Sequence, residues 1–324
     1  MEVTDEKTEN KATKEEPKAG TKFFIENAFD TLAELLKNWN NRPKPTKFQL
    51  LESMNIGGLC LIGGIPQVGK TWLICQMILH DIKEGKPVII FSFEMPKVEI
   101  VKRLYITASQ MNEDKFGVYK KSKADFITEI GNLLHLRDIT DFFAPDKNDN
   151  ISIKPMNYKE LSNEINSYFP NDKPNIYIDS FHEIPTPDKG DNQKAAIDYN
   201  VLNLRMLVDN TGVNVFCVAQ ANRAAMDKGG KIGLHSFSGS ASLEYTIDSA
   251  IALNGYTDTE DYFVIDLLKN RYFHQAVKEI VIKKDKVLFS ISSKEAFNDE
   301  DESSKNATNS KTKNKGNRRT KRPE

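Results

Sequence analysis

The sequence is poor in cysteine, lacks long apolar runs and carries almost no net charge, and each scarcity excludes a class of protein. Its three cysteines, Cys60, Cys75 and Cys217, stand inside apolar stretches at no metal-ligand spacing. That excludes a disulfide frame and a zinc cluster, fits a reducing compartment, and leaves the three as packing residues. No run approaches the roughly 18 consecutive apolar residues of a membrane helix, and the opening "MEVTDEKTENKATKEEPKAG" has no apolar signal core. A cytoplasmic protein without a membrane segment is expected. With a formal net charge of -1 the chain has no global basic field, so any grip on nucleic acid must come from a local patch or loop. There is no internal repeat.

What is present is 324 residues with 39% hydrophobic content, enough for one large domain or two modest ones. Residues 1–20 mix both charge signs with Thr, Asn and Pro and are expected to form a disordered arm. In residues 21–47, Ile25, Phe29, Leu32, Leu36 and Trp39 recur at helical spacing ahead of the proline-containing linker "NNRPKPTK". That helix is expected either to dock on another subunit or to fold back on its own core. Across 48–294, compact β-type runs ("LCLIGG", "VIIFSFE", "NIYIDSF", "NVFCVAQ", "AIALNG") alternate with helical patterns. This predicts an α/β domain with a mostly parallel sheet flanked by helices. "FVIDLLKNR" and "VKEIVIKKDKVLFSIS" are expected as further, antiparallel strands at the sheet edge. Residues 295–324 turn from acidic to basic without aromatics, the pattern of a disordered tail that either holds nucleic acid weakly or merely solvates.

The chemistry begins at "GGIPQVGKTW", which holds Gly-x-x-x-x-Gly-Lys-Thr between a strand and a helix expected to start at Thr71. In such a loop the backbone N–H groups of Gly64, Ile65, Gln67, Val68, Gly69, Lys70, Thr71 and Trp72 surround phosphates at a helix N-terminus. Pro66, in the same loop, has no N–H and shapes the turn. Lys70 then reaches the β and γ phosphates of ATP, and the Thr71 hydroxyl reaches Mg²⁺. Asp179, ending the apolar run "NIYID", is the expected second magnesium anchor. For a base or water-positioner two carboxylates compete, Glu94 at the end of "VIIFSFE" and Glu183 in "DSFHE".

The order "GGIPQVGKT", "GKPVIIFSFEM", "IYIDSFHEI", "FCVAQANR", "SASLEYTID", "LLKNR" resembles the motor domain of DnaB-type replicative helicases, within the RecA-like P-loop ATPase group. The likeness runs from about Leu59 to Ile291. It implies a RecA-like core, favours Glu94 over Glu183 as the catalytic carboxylate, and assigns Gln220 to sensing the γ-phosphate. "SASLEYTID" looks like the segment that leaves the DNA-binding loop, where Ser240 or Ser242 would equally serve as a helix cap. Lys269 and Arg271 alternate onto one face of their strand. The resemblance implies that they cross to a neighbour's γ-phosphate as an arginine finger does. It also implies a homo-oligomeric, hexameric ring, and puts Arg223, Lys228 and Lys231 in a pore loop that follows single-stranded DNA.

The sequence departs from the family in three places. A short arm and helix stand where many relatives carry a primase-interacting domain, as in small plasmid and phage forms. Tyr272, Phe273 and His274 follow the finger arginine where relatives often place Gly two residues on, and the pore loop lacks an arginine common before "SASLEYTID". The expected function is an ATP-driven ring helicase or translocase in DNA replication, with a loader or primase as further partner. The alternative is a non-unwinding RecA-like ATPase serving as recombination mediator or assembly switch.

Overall fold

The computed structural model describes residues 43–110, 126, 130–145, 151–187, 192–221, 232–237, 241–255, 262–272, 276–285 and 287–291. The expected arm, the helix from Ile25 to Trp39, the loop residues Arg223, Lys228 and Lys231, and the tail lie outside them. In chain order the described elements begin with α1 (Gln49–Glu52), β1 (Leu59–Gly64), α2 (Lys70–Lys83), β2 (Val88–Ser92) and α3 (Lys97–Ser109). There follow β3 (Leu134–Asp138), β4 (Phe143–Pro145), β5 (Ile151–Ile153), α4 (Tyr158–Tyr168), β6 (Asn175–Asp179), α5 (Gln193–Thr211) and β7 (Asn214–Gln220). The last are α6 (Ala241–Thr246), β8 (Ser249–Gly255), β9 (Tyr262–Asn270), β10 (Glu279–Asp285) and β11 (Leu288–Ile291).

Nine strands form one sheet in the order β11-β10-β9-β8-β1-β7-β6-β2-β3. β1, β2, β3, β6, β7 and β8 run parallel, and β9, β10 and β11 extend the sheet antiparallel. This is an α/β core with the mostly parallel sheet and antiparallel edge that the sequence pattern predicts. Two features go beyond that pattern. β3 reads "LHLRD", alternating half-buried and exposed residues rather than forming a compact apolar run. The ribbon of β4 and β5 has three residues per strand, too short for any periodicity to show. Helix α2 also starts at Lys70, one residue before the expected Thr71.

The buried strands are apolar in succession because both faces of the sheet are covered. Cys60 and Ile62 of β1 pack with Leu73, Ile78 and Phe216 on one face. Leu59 and Leu61 of the same strand pack with Val201, Leu204 and Cys217 on the other. Burying each such side chain stabilises the fold by roughly 1.5–3 kcal/mol. All three cysteines are free and buried, and burial pushes the Cys60 and Cys75 thiols up to about 12, as befits inert packing residues. The register then places the chemistry. Gly64 ends β1 beside Gln220 of β7, and Ser92 ends β2 beside Asp179 of β6. Four parallel strands thus deliver their carboxyl ends to one edge, where open α/β sheets bind ligands.

Candidate active site

The loop from Gly64 to Lys70 turns sharply from β1 into α2, and Gly69 makes that possible. Gly69 has φ 104°, a conformation L side chains rarely adopt, and a Cβ there would lie 2.8 Å from the Phe289 ring. A Cβ on Gly63 would lie 2.0 Å from the ring of Phe237, which is seated directly against the strand. The first amides of α2 have no partner within the helix, so Lys70, Thr71 and Trp72 present an anion site together with the positive helix end. Lys70 is buried, and its Nζ donates to the carbonyls of Gly64 at 3.1 Å and Ile65 at 2.8 Å. Burial lowers its pKa, while Asp179 and Glu94 pull it back up.

Asp179 is fully buried at the end of β6. Its Oδ2 accepts from Thr71 Oγ1 at 2.8 Å, whereas its buried Oδ1 has no hydrogen-bond partner among the described residues. An acceptor left bare in this way costs free energy. Burial accordingly raises the carboxyl to about 6, with the Thr71 hydrogen bond lowering it and Glu94 raising it further. A hard cation needs oxygen ligands, and an unused carboxylate oxygen beside a hydroxyl fits Mg²⁺. No cluster of three or more His, Cys, Asp or Glu that could cage a metal occurs among the described residues.

The other predicted residues fall into two groups. Glu94 is exposed just past β2, its backbone N–H donating to the Asp179 carbonyl at 3.1 Å. Gln220, exposed at the end of β7, donates to Glu94 Oε1 at 3.4 Å. Lys70, Thr71, Asp179, Glu94 and Gln220 are thereby brought together from separate strand ends. Glu183, the competing carboxylate, ends the 3₁₀ turn Phe181–Glu183. Lys269 and Arg271 form the second group and bond elsewhere. Lys269 Nζ donates to the Glu244 carbonyl at 2.5 Å, Arg271 Nη2 to the Tyr245 carbonyl, and Arg271 Nη1 to Asp248 at 3.4 Å. Both side chains therefore reach the same end of α6, on one face as strand alternation implies.

The residue that sequence reasoning missed is Arg103, on α3. Its guanidinium lies 5.0 Å over the Trp72 ring, its Nε is buried without a hydrogen-bond acceptor among the described residues, and its charge acts on Asp179. No local pattern marks it, because its place depends on α3 crossing α2. Trp72 thus supports a cation beside the cradle in addition to opening the helix.

A family model described as DnaB-like helicase C-terminal domain matches residues 45–289. Among solved structures, the chain is similar to one described as an ATPase domain, at 17% identity and a TM-score of 0.63, covering 84% of this chain and 100% of that one. It is equally similar to "The Structure Of A DnaB-Like Replicative Helicase And Its Interactions With Primase", again at 17% identity and 0.63, covering 84% of this chain and 68% of that one. At that identity the two share its fold. No curated protein matches the sequence significantly. No helix among the described residues is long and apolar enough to cross a membrane.

Proposed function

The chain belongs to the DnaB-like helicase C-terminal domain family, a family of ATP-hydrolysing helicases, and we propose that it works as a ring-forming motor on single-stranded DNA. The observation that carries the ATPase part of this reading is the orphaned Asp179 oxygen beside Thr71, next to a phosphate cradle that Glu94 and Gln220 also border. Thr71 and Asp179 serve nucleotide binding, and the carboxylate of Glu94 beside them is what hydrolysis adds.

In this reading ATP lies with its phosphates on the amides of the loop. Lys70 exchanges the carbonyls of Gly64 and Ile65 for the β and γ phosphates. Mg²⁺, held by Thr71 and Asp179, would neutralise charge building on the phosphates. Glu94 orients the attacking water and accepts its proton as the water oxygen bonds to the γ-phosphorus. The bond from that phosphorus to the bridging oxygen breaks, and ADP departs with the electron pair. Gln220, bonded to Glu94 in this structure, is placed to report whether the γ-phosphate is present. The motor occupies 48–294, and copies assemble in a hexamer in which Lys269 and Arg271 of one subunit approach the phosphates of the next. Arg223, Lys228 and Lys231 supply the loop that follows DNA phosphates.

The test is steady-state ATP hydrolysis with and without single-stranded DNA at low and moderate salt, with Lys70→Ala as control. The expected outcome is stimulation by DNA that shrinks as salt rises, because phosphate contacts release counterions. The control abolishes turnover. Robust hydrolysis indifferent to DNA overturns the motor reading and leaves an ATPase that drives assembly.

A further inference from the structure

Asp248 stands just before β8 with its carboxylate buried, and it draws donors from three parts of the chain. Leu59 N–H donates to Oδ2 at 2.9 Å. Three donors converge on Oδ1, namely Arg205 Nη1 at 2.5 Å, the Tyr272 hydroxyl at 3.0 Å and Arg271 Nη1 at 3.4 Å. A carboxylate oxygen offers about two lone-pair sites. Three donors therefore compete for them, and Arg271 makes the longest contact. Arg205 is not free to yield, since its other edge is gripped by Asp209 one helical turn away. The backbone of Arg271 is pinned, its N–H donating to the Asp248 carbonyl at 2.8 Å. Its guanidinium is held by the Tyr245 carbonyl and only loosely by Asp248.

The geometry points to Tyr272 as a positioning residue for Arg271. By occupying Asp248 Oδ1, its hydroxyl keeps the guanidinium from adding a tight charged hold to its bond with the Tyr245 carbonyl, so that only that neutral acceptor must be released for it to turn toward a neighbour's terminal phosphate. This rests on the shared-site reading above. Without the hydroxyl, a lone pair on Oδ1 becomes vacant beside a permanently charged, fork-shaped donor. Arg271 takes it and forms a charge-assisted bond, about twice as strong as a neutral one. The phosphate in the adjacent site then competes with a tighter partner, and the chemical step slows while nucleotide binding, which uses the loop and Lys70, does not change.

The variant Tyr272→Phe removes only the hydroxyl and keeps the ring of this half-exposed residue, so packing is preserved. The expected result is kcat lowered several-fold, with KM for ATP and the oligomeric state unchanged. On an Arg271→Ala background, the same change is expected to add no further loss in single-turnover hydrolysis. A hydroxyl with a purely structural role would give equal losses in both backgrounds. Tyr272→Phe at the wild-type kcat, or equal losses in both backgrounds, overturns the positioning role while leaving the shared site standing. Arg271→Ala that turns over at the wild-type rate in the assembled protein removes the shared site itself, and the role of Tyr272 with it.

Discussion

Asp179 and Asp248 are two aspartates buried to the same degree, 0% and 1% exposed, beside strands of one sheet. Asp248 has both oxygens satisfied by a backbone amide, a tyrosine and two arginines. Asp179 has one oxygen on Thr71 and the other without a partner among the described residues. Burial is common to both, so it cannot be what marks a site. The unspent acceptor distinguishes them, because a bare buried carboxylate oxygen is costly and, beside Thr71 and the phosphate loop, is open to a cation. Asp248 builds a corner of the domain, while Asp179 leaves one open.

The largest effect expected from this contrast is on turnover. Glu94→Gln keeps size and hydrogen bonding but cannot accept the proton of water, and should lower kcat by roughly 10²–10⁴-fold. Mixing Glu94→Gln subunits with Arg271→Ala subunits should restore part of the ATPase activity, since some interfaces then combine an intact cradle with an intact finger. Unmixed controls measured at equal protein concentration make the comparison.

The next effect separates the two aspartates by stability. Asp248→Ala leaves the buried Leu59 amide unpaired and loosens two partly exposed guanidinium groups that keep Asp209 and the Tyr245 carbonyl, and should cost about 1–3 kcal/mol in urea unfolding without nucleotide. Asp179→Asn should hold or gain stability in the same assay, because it removes a buried charge that the folded state disfavours. Equal destabilisation of both would erase the distinction.

The smallest effect is on pH dependence. The folded Asp179 carboxyl stands at about 6, above its ordinary value of 3.8. Between those values the folded state binds more protons than the unfolded one, so its contribution makes stability fall as pH rises through this window. Asp179→Asn should flatten that slope. Magnesium needs the carboxylate, so Mg²⁺-dependent nucleotide binding should weaken as pH falls below about 6, approaching tenfold per unit. Calorimetric titration at several pH values reads this directly.

Much of the site is visible along the chain because it is local. Gly64 to Thr71 is one contiguous loop, and Asp179, Glu94 and Gln220 each end an apolar run. The parallel sheet with an antiparallel edge follows from the same runs. Arg103 is invisible there because nothing in its own helix distinguishes a cation over Trp72 from one in water. β3 escapes the same reading because an alternating strand at the edge has half the apolar residues of a central one.

By itself, the sequence determined the elements, the cradle and which strand ends carry carboxylates, since these depend on spacing and on short-range backbone geometry. Tertiary structure alone decided that Asp179 keeps a bare oxygen, that Gln220 meets Glu94, and that Arg205, Arg271 and Tyr272 share Asp248. Those pairings join residues distant in the chain. They depend on strand order and register, which no local pattern specifies.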